Sequence, residues 1–195
     1  MILKAQLSGQ FKTGKKTSLF QVKEKLEQYG VRIAHPSNDG FIFTQNAGAP
    51  GLVSALWTPY ESNLDYYETT AASDAYIVNN EDGIITDWMA RGILYAMLQH
   101  KAILLLHKPA FDQTVGIFVR EVLLAHVDQF LIFDILTTDK ATVLEQLQGT
   151  AQSVDYDLNA RDITIIKAII RKHFRELLAR GKPHQAQHAT LATAV

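Results

Sequence analysis

Short apolar runs alternate with amphipathic stretches along most of the chain. The apolar runs predict five strands, at 2–7, 31–34, 75–78, 103–106 and 130–135. Between them, apolar residues recur every three to four positions, which is typical of helices with one buried face. Such alternation indicates βαβ units and a mainly parallel sheet. We therefore predict an α/β fold, a flavodoxin/Rossmann-like three-layer sandwich with a five-stranded, mainly parallel sheet of order 2-1-3-4-5.

Capping and stop signals predict where the helices begin and end. Ser18 and Gln21 have capping-box spacing, and Gly30 is a natural stop for the helix that they open. Further helices are expected at about 63–73, 87–100, 112–128, 139–148 and 162–180. Because Gly181 and Pro183 should stop the last helix, we expect a single α/β domain over 1–181 and a disordered tail over 182–195.

Composition narrows the possible functions. The chain has 195 residues, of which 47% are hydrophobic, and it has no cysteine, which excludes disulfides and thiolate chemistry. Its formal net charge of −1 gives no field that favours nucleic acid, and no apolar run approaches the roughly 20 residues of a membrane span. The N-terminus has no signal-peptide pattern, so we expect a cytoplasmic protein. No histidine or carboxylate pattern predicts a metal, and we expect no cofactor.

The segment from Gly9 to Lys15 matches the P-loop spacing G-x-x-x-x-G-K between a strand and a helix. Lys16 stands where the motif needs a hydroxyl for magnesium, although Asp134 could serve as a second magnesium-handling residue. A P-loop phosphotransferase is therefore a lesser alternative. The basic residues of this loop, Lys12 among them, and the helix start favour an anionic ligand group.

Acidic residues follow the predicted third strand. Glu81, Asp82 and Asp87 lie within seven residues, and cleavage of a glycosidic bond needs two carboxylates in different environments. The same residues also fit a turn at Asp82-Gly83 and a helix N-terminus at Asp87. Both interpretations stay open at this point.

The predicted strand order indicates where a ligand would bind. Ligands of such sheets bind at the carboxyl ends of the strands, where the strand order reverses, here between strands 1 and 3. We therefore expect a pocket lined by Gly9, Gln10, Phe11, Asp82 and Asp87.

Three segments together resemble the nucleoside 2-deoxyribosyltransferase family. The first strand runs into Gly9-Gln10-Phe11, which is similar to the turn that follows the first strand in the family. Gln10 stands at the position where the family usually has a proline. Residues 66–78 are similar to the family segment that ends in its third strand, and residues 92–103 are similar to the helix and strand that follow it. The resemblance covers roughly residues 2–107.

This resemblance implies a protein that acts on, or binds, the N-glycosidic bond of a small-molecule nucleoside or nucleotide. It also implies a homo-oligomer, with residues 44–62 as a contact surface. The family's nucleophilic glutamate falls on Gly92, and two family aspartates fall beside Asp87 and Asp65. We therefore take Asp87, Asp82 and Asp65 as catalytic candidates. The substrate-binding candidates are Gly9, Gln10, Phe11, Lys12 and Asn79. Because the glutamate is absent, a catalytically inactive nucleotide-binding or sensing domain is the alternative.

Overall fold

A five-stranded parallel sheet forms the centre of the fold. The computed structural model describes residues 3–9, 16–34, 67, 69–150 and 154–192, with backbone alone at 16, 17, 34 and 177–192. The strands are β1 (Lys4–Gly9), β2 (Arg32–Ala34), β3 (Ala75–Asn79), β4 (Ile84–Ile85), β5 (Ala102–Leu105), β6 (Ala110–Phe111) and β7 (Leu131–Ile132). The large sheet has the order β2-β1-β3-β5-β7, and all four of its strand pairs are parallel. The predicted order 2-1-3-4-5 is therefore confirmed.

Helices cover both faces of this sheet. Within the described residues, the longer α-helices are α1 (Lys16–Gln28), α2 (Asp87–Leu98), α3 (Ile117–His126), α4 (Lys140–Thr150) and α5 (Ala160–Ala192). One buried cluster joins the sheet to α1 and α4, and we call it the α1-side core. A second joins the sheet to α2, α3 and α5, and we call it the α2-side core. This is the three-layer arrangement that the sequence predicts.

Strands β3 and β5 contribute to both cores. All residues of β3 and β5 are buried, as expected for parallel strands with helices on both faces. Because successive side chains point to opposite faces, Tyr76 and Val78 lie in the α2-side core, whereas Ala75 and Ile77 lie in the α1-side core.

Several boundaries differ from the sequence prediction. Helix α3 begins at Ile117 and not near 112, because Asp112 forms a turn in which its carboxylate accepts from the Thr114 backbone amide at 2.8 Å. The Arg120 side chain donates to the carbonyl oxygens of Val115 and Asp112, which holds the turn against the helix. The pair β4 and β6 forms a separate two-stranded parallel sheet that was not predicted.

Helix α5 was predicted to end at Arg180, and this boundary is wrong because the helix continues to Ala192. The helix runs through Gly181 and Pro183 although a glycine costs about 1 kcal/mol and an interior proline, which removes one backbone donor, costs about 3 kcal/mol. The segment 182–192 of the expected tail is thus helical, and 193–195 lie outside the described residues. The contact surface implied at 44–62 also lies outside them. Among the described residues, no helix has the length and apolar composition needed to cross a membrane.

Candidate functional site

The carboxyl ends of β1 and β3 meet at Gly9 and Asn79, which are register partners. A Cβ atom at Gly9 would lie 2.8 Å from Leu19 Cδ1 and 3.2 Å from Asn79 Cβ. Only glycine therefore lets the end of β1 approach α1 so closely. Gly9 shapes this edge of the sheet through its backbone.

Asn79 connects this edge to α1. Its side chain is buried, and its Nδ2 donates to Ser18 Oγ at 3.0 Å, while Ser18 Oγ is 3.3 Å from Asn79 Oδ1. Because α1 begins at Lys16, Ser18 lies inside the helix, and its predicted capping role is wrong. Asn79, a predicted ligand-binding residue, holds the start of α1 against β3.

Asn80 connects the end of β3 to the segment that follows β5. Its fully buried side chain donates from Nδ2 to the His107 carbonyl at 2.7 Å and accepts from the His107 amide at 3.0 Å. Sequence analysis did not single out Asn80. The available signal was an asparagine placed directly after a buried apolar strand.

Two polar side chains on β1, Gln6 and Ser8, are buried, and we call this pair the polar column. Ala5 and Leu7 belong to the α1-side core, so Gln6 and Ser8 point to the opposite face, beside Tyr76 and Val78. Gln6 is 0% exposed, and within the described part of the chain neither Oε1 nor Nε2 of Gln6 nor Oγ of Ser8 has a hydrogen-bond partner. An unpaired buried amide or hydroxyl costs about 1–3 kcal/mol, so this column is poised for a polar partner.

The acidic turn after β3 is a short 3-10 helix over Glu81–Gly83. Asp82 is exposed and has a φ of +61°, and the Gly83 amide donates to the Asn80 carbonyl at 2.7 Å. These features agree with the turn interpretation of Asp82-Gly83. Glu81 differs, because its Oε2 is buried and has no hydrogen-bond partner among the described residues.

Asp87 is the first residue of α2 and not its cap. Thr86 is the N-cap residue, and its Oγ1 accepts from the Met89 amide at 3.4 Å. The Asp87 carboxylate instead lies 2.6 Å from the Arg91 guanidinium, which also lies 3.6 Å from Glu176 on α5. This carboxylate is therefore neutralised by an adjacent cation.

Gly92, where the resemblance would place a nucleophilic glutamate, is buried within α2. Asp87 lies five residues earlier, which is about 7.5 Å along a helix axis. Asp87 therefore cannot occupy the position of that missing glutamate.

A cluster of aromatic side chains packs beside the N-terminal end of α2. The Tyr67 hydroxyl lies 2.7 Å from His173 Nδ1, and the Trp88 ring meets the His173 ring edge-on at a centroid distance of 5.2 Å. Burial raises the pKa of the Tyr67 phenol above its ordinary value, so the proton stays on the hydroxyl. These residues join α2 to α5 and were not predicted from the sequence.

The remaining candidates divide into two groups. Gln10, Phe11, Lys12 and Asp65 lie outside the described residues. Asp134 holds a turn, since its carboxylate accepts from the Leu136 amide at 2.8 Å and contacts the Thr137 hydroxyl. Within the described ranges, no group of three or more histidine and acidic side chains could hold a metal ion.

The comparisons with known proteins do not add to this geometry. The sequence matches no protein-family model, and a search of curated proteins finds no relative. The functional argument therefore depends on the residues at the β1/β3 edge.

Proposed function

We propose that this protein binds a nucleoside or nucleotide at the carboxyl ends of β1 and β3. The observation that carries the proposal is the buried polar column of Gln6 and Ser8, whose side chains have no hydrogen-bond partner among the described residues. It lies on the strand beside which the strand order reverses, where ligands of parallel α/β sheets bind.

The chemistry of the column fits this ligand class. The Gln6 amide offers one acceptor and two donors side by side, which can pair with the hydrogen-bonding edge of a nucleobase. Ser8 adds a hydroxyl that can both donate and accept. Helix α1 starts after β1, and its N-terminal amides favour a phosphate or another anionic group.

A binding function is better supported than catalysis, because α2 carries no suitable nucleophilic side chain at the position that the resemblance implies. Gly92 has no side chain to attack a sugar carbon, and Asp87 is neutralised by Arg91. An N-glycosidic transferase or hydrolase is the second candidate. One observation favours it: Glu81 has a carboxylate at the same edge, and its buried Oε2 has no hydrogen-bond partner in the part of the chain that the structure describes.

Thermal shift and calorimetry with a panel of deoxynucleosides and their monophosphates test the binding proposal. We expect at least one of them to stabilise the protein. The variant Gln6→Leu should lose this effect while the ligand-free protein becomes more stable, because the substitution removes an unpaired buried amide. The matched control is Gln28→Leu, at an exposed position of α1, which should bind as the wild type does.

A failure would be easy to recognise. The proposal is wrong if no nucleoside or nucleotide stabilises the wild type, or if Gln6→Leu binds as tightly as the wild type. Incubation with a deoxynucleoside and a free acceptor base then separates the two candidates. Exchange or hydrolysis that disappears in Glu81→Gln would support the enzyme, whereas binding without turnover supports the binding domain.

A further inference from the structure

The loop after β3 is fastened to the loop after β5 at the carboxyl edge of the sheet. We call them the β3 loop (80–86) and the β5 loop (106–116). Asn80 in the β3 loop makes two hydrogen bonds to the backbone of His107 in the β5 loop. The short strands β4 and β6 then pair the two loops along their length. The position of the β3 loop is therefore fixed by its contacts with the β5 loop.

Gly83 lets the two loops approach each other closely. Its φ is +76°, and a Cβ atom at this position would lie 2.6 Å from the Lys108 carbonyl oxygen. The preceding residue, Asp82, also has a positive φ, of +61°. Two successive residues with a left-handed backbone turn the chain sharply directly after Glu81. This turn and the hydrogen bonds of Asn80 hold the Glu81 backbone from both sides.

Glu81 has an unsatisfied oxygen in a loop whose other polar groups are bonded. Its Oε2 is buried, and no described residue donates a hydrogen bond to it. The side chains of Asn80 and Thr86 in the same loop both take part in hydrogen bonds. A buried acceptor that lacks a donor is destabilised, and a carboxylate more than a neutral group. Glu81 therefore needs a donor that the described residues do not supply.

We propose that Glu81 accepts a hydrogen bond from a sugar hydroxyl of the bound ligand and selects ligands that carry this hydroxyl. The inference rests on the proposed function, because it needs a nucleoside or nucleotide at the β1/β3 edge. A carboxylate oxygen can only accept, so its partner must be a donor. A sugar hydroxyl meets this need, whereas a phosphate at the same place would be repelled by the like charge.

The order of the polar groups along the edge indicates why the sugar, and not the base, reaches Glu81. Gln6 and Ser8 are both more than nine-tenths buried, and Gln6 lies about 6–7 Å deeper along β1. Ser8 is the register partner of Val78, and Glu81 follows Val78 by three residues, beyond the end of β3. A nucleoside whose base pairs with Gln6 therefore presents its sugar toward Glu81.

Calorimetry with matched ligands tests the inference. The probes are adenosine, guanosine, cytidine and uridine, each compared with its 2′-deoxy and 3′-deoxy analogues. For the wild type, loss of the contacted hydroxyl should raise the dissociation constant about 10-fold or more, because a hydrogen bond to a charged group is lost. In Glu81→Met, the ribonucleoside and the same deoxy analogue should bind within about 2-fold of each other, because the buried acceptor is gone.

The matched control is Glu145→Met, the same substitution at an exposed position of α4. It should keep the full difference between the ribonucleoside and the deoxy analogue, which separates the contact of Glu81 from a change in net charge. The comparison uses a ratio of affinities within each variant, so a general loss of stability does not produce the expected result.

Two outcomes overturn the inference while the proposed function stands. In the first, the wild type binds a ribonucleoside and both of its deoxy analogues equally well. In the second, Glu81→Met discriminates between them as strongly as the wild type does. If none of the nucleosides or their monophosphates binds the wild type, the proposed function itself is wrong, and the role of Glu81 is wrong with it.

Discussion

At the residue scale, two neighbouring side chains at the start of α2 have different tasks. Thr86 caps the helix, and Asp87 forms an ion pair with Arg91 while also lying near the positive end of the helix dipole. The Asp87 and Arg91 side chains are 33% and 24% exposed, so solvent screens much of their attraction. Asp87 is thus a contributor to surface electrostatics, and Thr86 a contributor to backbone hydrogen bonding.

This distinction predicts how the two positions respond to salt. Asp87→Asn should lower the free energy of unfolding by less than about 1 kcal/mol, and the loss should shrink as salt increases. Thr86→Ala should cost about 1 kcal/mol at every salt concentration, because it removes a neutral cap. Urea denaturation at low and high salt measures both. A large, salt-independent loss in Asp87→Asn would contradict the ion-pair assignment.

Buried tyrosines predict the response to alkaline pH. Burial raises the phenol pKa of both Tyr67 and Tyr156 above the ordinary value of 10.0. Above pH 10 the unfolded chain therefore loses these protons before the folded chain does. The stability that the two protonated phenols contribute is fully present below pH 10. Above pH 10 the free energy of unfolding falls by about 1.4 kcal/mol per pH unit for each tyrosine.

Urea unfolding between pH 8 and 11.5 measures this loss. The double variant Tyr67→Phe/Tyr156→Phe should have a lower stability at pH 8, because it lacks two hydrogen bonds, but a shallower decline above pH 10. An unchanged slope in the double variant would show that other groups cause the alkaline loss.

The polar column on β1 shows what sequence reasoning missed at this scale. Gln6 and Ser8 alternate with Ala5 and Leu7, and such a pattern usually indicates a strand with one exposed face. In the structure β1 is an interior strand with helices on both sides, so the polar residues are buried. The predicted order already placed this strand in the interior, and combining the two predictions would have revealed the column.

At the element scale, the start of α5 depends on a side chain that caps it. Asn159 Oδ1 accepts from the Asp162 amide at 2.9 Å, and the Asn159 carbonyl accepts from the Ile163 amide at 3.0 Å. Asn159→Ala should therefore cost about 1 kcal/mol, while Asn159→Asp should cost little, since both carboxylate and amide oxygens cap helices. Thermal and urea unfolding measure the difference. Equal losses in the two variants would argue against the cap.

Element boundaries were predictable where burial and helix signals agree. The long apolar strands β3 and β5 differ from their predicted bounds by one residue, because a strand buried on both faces is a continuous apolar run. The two-residue strands β4 and β6 have too few positions for any periodicity to show. The late start of α3 depends on hydrogen bonds of Asp112 and Arg120 that close a turn just before the helix, and the apolar periodicity of the sequence does not reveal such a turn.

At the scale of the whole molecule, the sheet couples its two cores. The side chains of each interior strand point alternately to opposite faces of the sheet. The same strands therefore contribute residues to both the α1-side core and the α2-side core. The candidate site lies where β1 and β3 meet, and Asn79 and Asn80 connect the end of β3 to α1 and to the segment after β5. A loss of either core should therefore also disturb the β1/β3 edge.

This coupling predicts one cooperative unfolding transition. Leu26→Ala removes packing from the α1-side core and Ile93→Ala from the α2-side core, and each should cost about 2–5 kcal/mol. In a Trp57→Phe background, the fluorescence of Trp88 reports on the α2 side, while far-UV circular dichroism reports on all helices. Both probes should give the same urea midpoint in each variant, because β3 and β5 transmit the loss across the sheet. If Leu26→Ala lowered the dichroism midpoint and left the Trp88 midpoint unchanged, the two faces would be unfolding independently, and the β1/β3 edge would depend on one of them alone.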